Sequence, residues 1–123
     1  MSDRQVTFDI IGLCADRPDP VTAVESVLPL SGGLTVSTVE GGPVVQLCHP
    51  GGRLLLSIED ARLVRVPGEV RRLLGIDVGI ELPHPVWWVE SRAPEADPEA
   101  EAVARAFTEA LVGGTGGLAW SSR

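Results

Sequence analysis

The chain contains no lysine, no asparagine and no tyrosine. All three use AT-rich codons, so their joint absence reads as the mark of a GC-rich genome. It also removes a lysine Schiff base and a lysine-headed phosphate loop. Cysteine is nearly missing as well: Cys14 and Cys48 are the only two. Two are too few for a disulfide framework, and they read as reduced thiols of a cytoplasmic protein. No apolar run approaches the roughly 20 residues of a membrane span. The opening residues, MSDRQVTFDI, lack a basic region followed by an apolar one, so no secretory leader is expected. Positive charge is scarce. Ten arginines face 17 Asp and Glu, for a net charge of −7. Such a surface opposes nucleic acid, whose recognition needs cations against phosphate, and it opposes an anionic membrane. It suits a protein partner, a basic one included.

What remains describes a globular chain. At 44% hydrophobic residues it is too apolar for disorder, and 123 residues suit one domain. VTFDIIG (6–12) reads as a strand with Val6, Phe8 and Ile10 on one face. After the loop CADRPDP, Asp19 and Pro20 read as the cap and first residue of a helix. Its apolar stripe is read as Val21, Val24 and Leu28. LTVSTV (34–39) and VVQLC (44–48), joined by EGGP, predict a hairpin. RLLLSI (53–58) extends it to an antiparallel meander, and ARLVRV (61–66) is a candidate fourth strand. PGEVRRLLG (67–75) predicts a short helix capped by Gly75. VWWVES (86–91) is the next strand. RAPEADPEAEA then connects to a helix capped at Asp97-Pro98, with Val103, Ala106, Phe107, Ala110 and Leu111 on one stripe. Glu101, Arg105 and Glu109 are spaced to pair on its outer face. LAWSS is a final strand.

The two ends share a plan. Each runs strand, polar loop, Asp-Pro, helix, Gly-Gly-Leu, strand. The expected fold class is therefore α+β: a mainly antiparallel sheet built on two β-α-β units, in a split, ferredoxin-like arrangement, with an inserted β-meander and short helix at 43–75.

Trp87 and Trp88 are neighbours in a chain with three Trp and two Phe. Side chains alternate along a strand, so the two rings point to opposite faces. Val86 and Trp88 share one; Trp87 and Val89 share the other. A strand apolar on both sides is expected to be central. Helices cover one face. The other needs the insertion, a second copy of the chain, or a ligand or partner.

Candidate sites weigh as follows. Cys14, Cys48, His49 and His84 match a zinc site in number but not in spacing, and no metal or other cofactor is expected. His49 and His84 each precede a proline, which favours extended backbone, so both read as strand ends. Nearby Asp9 and Asp16 are expected to raise the Cys14 pKa and blunt it as a nucleophile. Asp16, Arg17 and Asp19 sit where α/β sites often form, but read first as solvated or capping residues. GGTGG follows a helix rather than opening one, so the dipole there repels phosphate. No catalytic constellation is visible. Charge is more informative. Arg53, Arg62, Arg65, Arg71 and Arg72 give 53–72 a basic bias, whereas 90–109 is acidic, Glu99 and Glu101 included. That contrast reads as a protein contact with electrostatic steering.

The run VVQLCHPGGRLLLSIEDARLVRVPGEVRRLLG, followed by VWWVESRA, resembles small uncharacterised proteins of high-GC Gram-positive bacteria, some encoded beside type VII secretion components. The resemblance implies an accessory or interaction role and carries no functional residue with it. The expectation is a non-enzymatic interaction module, self-associating as a homodimer through a sheet face or binding a protein partner. The contact residues expected are Trp87, Trp88, Arg62, Arg65, Arg71, Arg72, Glu99 and Glu101. Alternatives are an acidic antagonist of a basic protein, acting through 90–109, and a small-molecule sensor.

Overall fold

The computed structural model describes residues 6–38, 45–66, 68–77, 79–83, 85–113 and 115–122. These form strands β1 (Thr7–Cys14), β2 (Thr35–Thr38), β3 (Val45–Cys48), β4 (Leu54–Ile58), β5 (Arg62–Val64), β6 (Val86–Pro94) and β7 (Leu118–Ser121). Three α-helices accompany them: α1 (Pro20–Val27), α2 (Glu69–Leu74) and α3 (Pro98–Gly113). The fold is α+β, with one open antiparallel sheet in the order β2-β3-β4-β6-β1-β7. The expected EGGP hairpin, Pro67 and His84 lie outside the described residues, as does Gly114 of the GGTGG run.

Both crossover units are present. β6 and β7 each pair antiparallel with β1, one on either side. They are therefore parallel to each other, and β1 is inserted in the β6-α3-β7 unit. β1 and β2 are parallel as well, with β6, β4 and β3 between them. The meander is β2-β3-β4. The fourth strand departs from the expected meander. β5 does not pair beyond it but follows β4 along the same edge of β6. Ile58 pairs with Ser91 and Arg62 with Trp88, so three residues on one side oppose two on the other. One extra residue makes a bulge, and β4 and β5 act as one bent strand.

Helices α1 and α3 cover one face. Phe8, Ile10, Leu47, Leu56, Ile58, Val89 and Ala93 from the sheet meet Val24, Val27, Val103, Phe107 and Leu111 from the helices. Both helices begin as their caps dictate. Asp19 accepts from the Thr22 backbone N–H at 3.2 Å and its hydroxyl at 2.7 Å. Asp97 accepts from the N–H of Glu99 at 3.0 Å and of Ala100 at 3.3 Å. The apolar stripes are rotated from the expected ones. On α1 the buried residues are Ala23, Val24 and Val27, and Val21 is 66% exposed. On α3 they are Ala100, Val103, Ala104, Phe107, Thr108 and Leu111, with Ala110 exposed. Alanine-rich helices have several faces of similar hydropathy, and packing decides among them. Thr108 fits because its hydroxyl donates to the Ala104 carbonyl.

Two glycines set how closely the layers approach. A Cβ on Gly12 would lie 2.8 Å from Leu111 Cδ2, so α3 rests directly on the β1 backbone there. A Cβ on Gly117 would lie 2.0 Å from the Leu13 carbonyl oxygen. Only glycine lets the chain enter β7 that close to β1.

Candidate interaction surface

The tryptophans divide as strand alternation requires. Trp87 and Val89 join the helix-side core, whereas Val86 and Trp88 join Ile11, Leu13 and Val70 on the opposite face. β6 is central, between β1 and the β4-β5 edge. Of the three covers open to the second face, the insertion is the one observed. Trp88 is 4% exposed, under α2 and the segment after it. Its indole N–H donates to Glu90 Oε1 at 3.3 Å, and the Arg62 guanidinium lies 5.3 Å from the ring centroid. Trp87 is half-buried, with Arg17 5.5 Å from its centroid.

The cover is thin. α2 has six residues between two left-handed glycines, Gly68 (φ 80°) and Gly75 (φ 65°), and the Gly75 N–H closes it on the Arg71 carbonyl at 2.8 Å. One and a half turns present one stripe to the sheet. Val70 is buried and Leu74 packs beside it, but Leu73 points outward and is 51% exposed. Leu82 and Ile76 extend the cover. Arg71 holds this segment, donating from its guanidinium to the carbonyls of Asp77 and Ile80. Between α2 and the entry to β6 lies an apolar groove of about 200 Å³, walled by Val64, Val66, Val70, Leu82, Pro83 and Val86. Val66 and Ile80 stand at 63% and 47% exposed.

Leu118 and Trp120 of β7 also pack against the Trp88 cluster, and the face turns polar toward the far end of β1 and β6. Asp9 and Arg92 are register partners on β1 and β6, and their side chains pair at 2.9 Å. Arg92 also meets Glu90 at 3.6 Å. One end of the face is thus charged and the other apolar beneath α2.

The expected contact residues separate. Trp88 and Arg62 lie on the second face and Arg71 and Arg72 on its cover α2, Arg65 directly follows β5, and Trp87, Glu99 and Glu101 belong to the helix side. Arg72 pairs with Glu69 at 2.6 Å, and Glu101 with Arg105 at 3.1 Å. The sequence contrast between a basic and an acidic stretch is partly cancelled within the chain. Arg53 bridges them, 3.0 Å from Asp97 and 2.8 Å from Glu99. Arg53 and then the Ser31 hydroxyl hold the Glu99 carboxyl below its usual pKa. Sequence reading missed Val66, Leu73 and Ile80 as a surface. The spacing gave no signal: Val70, Leu73 and Leu74 stand at i, i+3 and i+4, the pattern of one buried stripe, and only the packing leaves Leu73 outside.

Other candidates stand alone. Burial pushes the Cys14 thiol up in pKa, partly offset by the Thr115 hydroxyl. The direction matches expectation, but the cause is desolvation and not the neighbouring carboxylates. Among the described residues, no three His, Cys, Asp or Glu side chains cluster as a metal site requires. His49 Nδ1 accepts from the Gly51 N–H at 3.1 Å, tightening the β3-β4 turn. An open cleft of about 450 Å³ separates α1 from α3, with Arg17, Asp19 and Thr115 on its walls; Asp19 there is engaged as a cap. No family model, no curated protein and no solved structure matches the chain. Among the described residues, no helix is long and apolar enough to cross a membrane.

Proposed function

We propose that this protein is a non-catalytic, cytoplasmic interaction module, accessory to other proteins, and that it self-associates through the outer surface of α2 and its groove. The observation that carries the reading is that Val66, Leu73 and Ile80, on α2 or close to it in sequence, are left 63%, 51% and 47% exposed, with Val66 on the wall of an apolar groove. Single exposed apolar residues need no explanation, but three within one short stretch of chain beside a groove suit a contact. The tryptophans serve it indirectly. Trp88 is the floor on which α2 is built, and the residues above it make the contact. In this reading the split β-α-β sheet is a ferredoxin-like platform, and the insertion is what it presents.

The expected strength follows from area. A fully buried Leu, Ile or Val gains about 1.5–3 kcal/mol, and half of that is already gained within one chain. Six such side chains across a two-fold contact supply roughly 6 kcal/mol. Set against the cost of association, the dimer is weak and concentration-dependent. The antagonist reading has less support, because Glu99 and Glu101 are each held by an arginine of the same chain.

Light scattering across a concentration series tests this. The parent should rise toward twice its monomer mass, and Leu73→Asp should stay monomeric with its melting temperature unchanged. A parent that stays monomeric at millimolar concentration would remove self-association.

A further inference from the structure

The cleft between α1 and α3 carries two opposite charges that do not meet each other. β1 and β6 are antiparallel, so the helices that follow them run in opposite directions, and the start of α1 lies beside the end of α3. Arg17 and Asp19 both stand on the cleft walls. Both are exposed, and among the described residues neither makes an ion pair, with the other or with a third group. Arg17 is steadied by the Trp87 ring, 5.5 Å from its centroid, a stack that leaves the N–H edge of a guanidinium open. Asp19 is held as a cap by Thr22, and a carboxylate so engaged keeps further acceptor sites. The hydroxyls on the walls donate within the chain: Thr22 to Asp19, Ser26 to the Ala23 carbonyl at 2.7 Å, and Thr115 to the Val112 carbonyl at 3.2 Å. What they offer a ligand is oxygen lone pairs, beside the negative end of the α3 dipole. Ala23 and Leu111, each 3% exposed, give the cleft an apolar floor.

A simple anion here would face Asp19 and a row of acceptors. A simple cation would face Arg17. A molecule bearing both charges satisfies both walls. We infer that the cleft binds a free α-amino acid with an aliphatic side chain. Its carboxylate lies on the Arg17 guanidinium, its ammonium donates to Asp19 and to the Thr22 and Ser26 oxygens, and its side chain covers Ala23 and Leu111. The volume, about 450 Å³, falls within the roughly 300–1,000 Å³ of small-ligand sites. The cleft is on the helix side of the sheet and the α2 surface on the opposite side, so this site and the self-contact proposed above stand or fall separately.

An amide NMR titration of the full chain tests this, with L-leucine, glycine, acetate and methylammonium as separate probes at matched ionic strength. L-leucine should shift the amides of Arg17, Thr22, Ser26 and Thr115 saturably at millimolar concentration. Acetate and methylammonium each offer one charge and should bind at least about tenfold more weakly. Glycine has no side chain for the apolar floor and should fall between. Arg17→Gln and Asp19→Asn should each weaken L-leucine at least about tenfold. Asparagine caps a helix as well as aspartate does, and Arg17 is exposed, so both variants should keep the parent's amide spectrum outside the cleft. No saturable shift with L-leucine, equal binding of acetate, methylammonium or glycine, or either variant binding like the parent would each overturn the site.

Discussion

Three glycines near the end of the chain should respond to alanine in three different ways, and the order tests the packing of β7 on β1. At Gly117 the added Cβ would stand 2.0 Å from the Leu13 carbonyl oxygen. Real contacts of this kind stay beyond 3.0 Å, so β7 must retreat by about 1 Å, which leaves hydrogen bonds of ordinary length too long to count. The ladder at stake runs from Ile10–Ser121 to Leu13–Leu118, extended by the Ser122 N–H to the Asp9 carbonyl at 2.9 Å. Losing about three such bonds at roughly 1 kcal/mol each gives about 3 kcal/mol. For a domain of this size that is a drop of roughly 12 °C in Tm. Gly116 has open space but a φ of +66°, so alanine there meets only the left-handed penalty of about 1–2 kcal/mol. Gly113 has neither restraint and lies at the end of α3, where alanine should stabilise by up to about 1 kcal/mol. Thermal unfolding by circular dichroism gives all three. A Gly117→Ala protein melting within about 2 °C of the parent would refute the close approach, as would any order other than Gly113, Gly116, Gly117 from most to least stable.

Trp88→Ala should cost about 3–5 kcal/mol, the range for a buried ring, and Trp87→Ala roughly half as much; urea titrations compare them, and a larger loss at Trp87 would mean that the second face is not closed. Cys48 should react with a thiol reagent in the native protein well before Cys14, which is buried with its thiol pKa raised; equal rates would contradict that burial. Glu99 and Asp19 both have folded pKa values below their ordinary ones, the first through Arg53 and the second through the Thr22 hydroxyl and N–H. Such groups stabilise the fold above their unfolded pKa and lose that contribution as pH falls through the folded one. Glu99→Gln and Asp19→Asn should each therefore flatten the acid side of a Tm-against-pH curve, and a curve of unchanged slope would show that these contacts do not persist in solution.

Much of the sheet was legible because strand alternation and turn residues act locally. VWWV fixes its own two faces by parity, and the Asp-Pro pairs fix where α1 and α3 begin. What parity cannot give is neighbours. Nothing in ARLVRV says that it returns to the edge of β6 in place of extending the meander; that depends on a one-residue bulge between Ile58 and Arg62. Strand length was also hidden. β6 continues through Ser91–Pro94 because Ser91 is buried with its hydroxyl donating to the Ile10 carbonyl at 3.1 Å, a contact between residues far apart in sequence. The contact surface was half legible. The arginines and Trp88 drew notice by composition, but the exposed apolar group appears only once packing leaves Leu73 outside the stripe it shares with Val70 and Leu74. The charge contrast misled for a related reason: Arg53 lies beside α3 in space and cancels part of it.

Hydrogen exchange at two protein concentrations, one on either side of the association midpoint, bears most directly on the central claim. If α2 and its groove form the self-contact, amides of 64–83 gain protection at the higher concentration while those of α1 and α3 do not change. Protection that rises instead along α3, or nowhere, would contradict it.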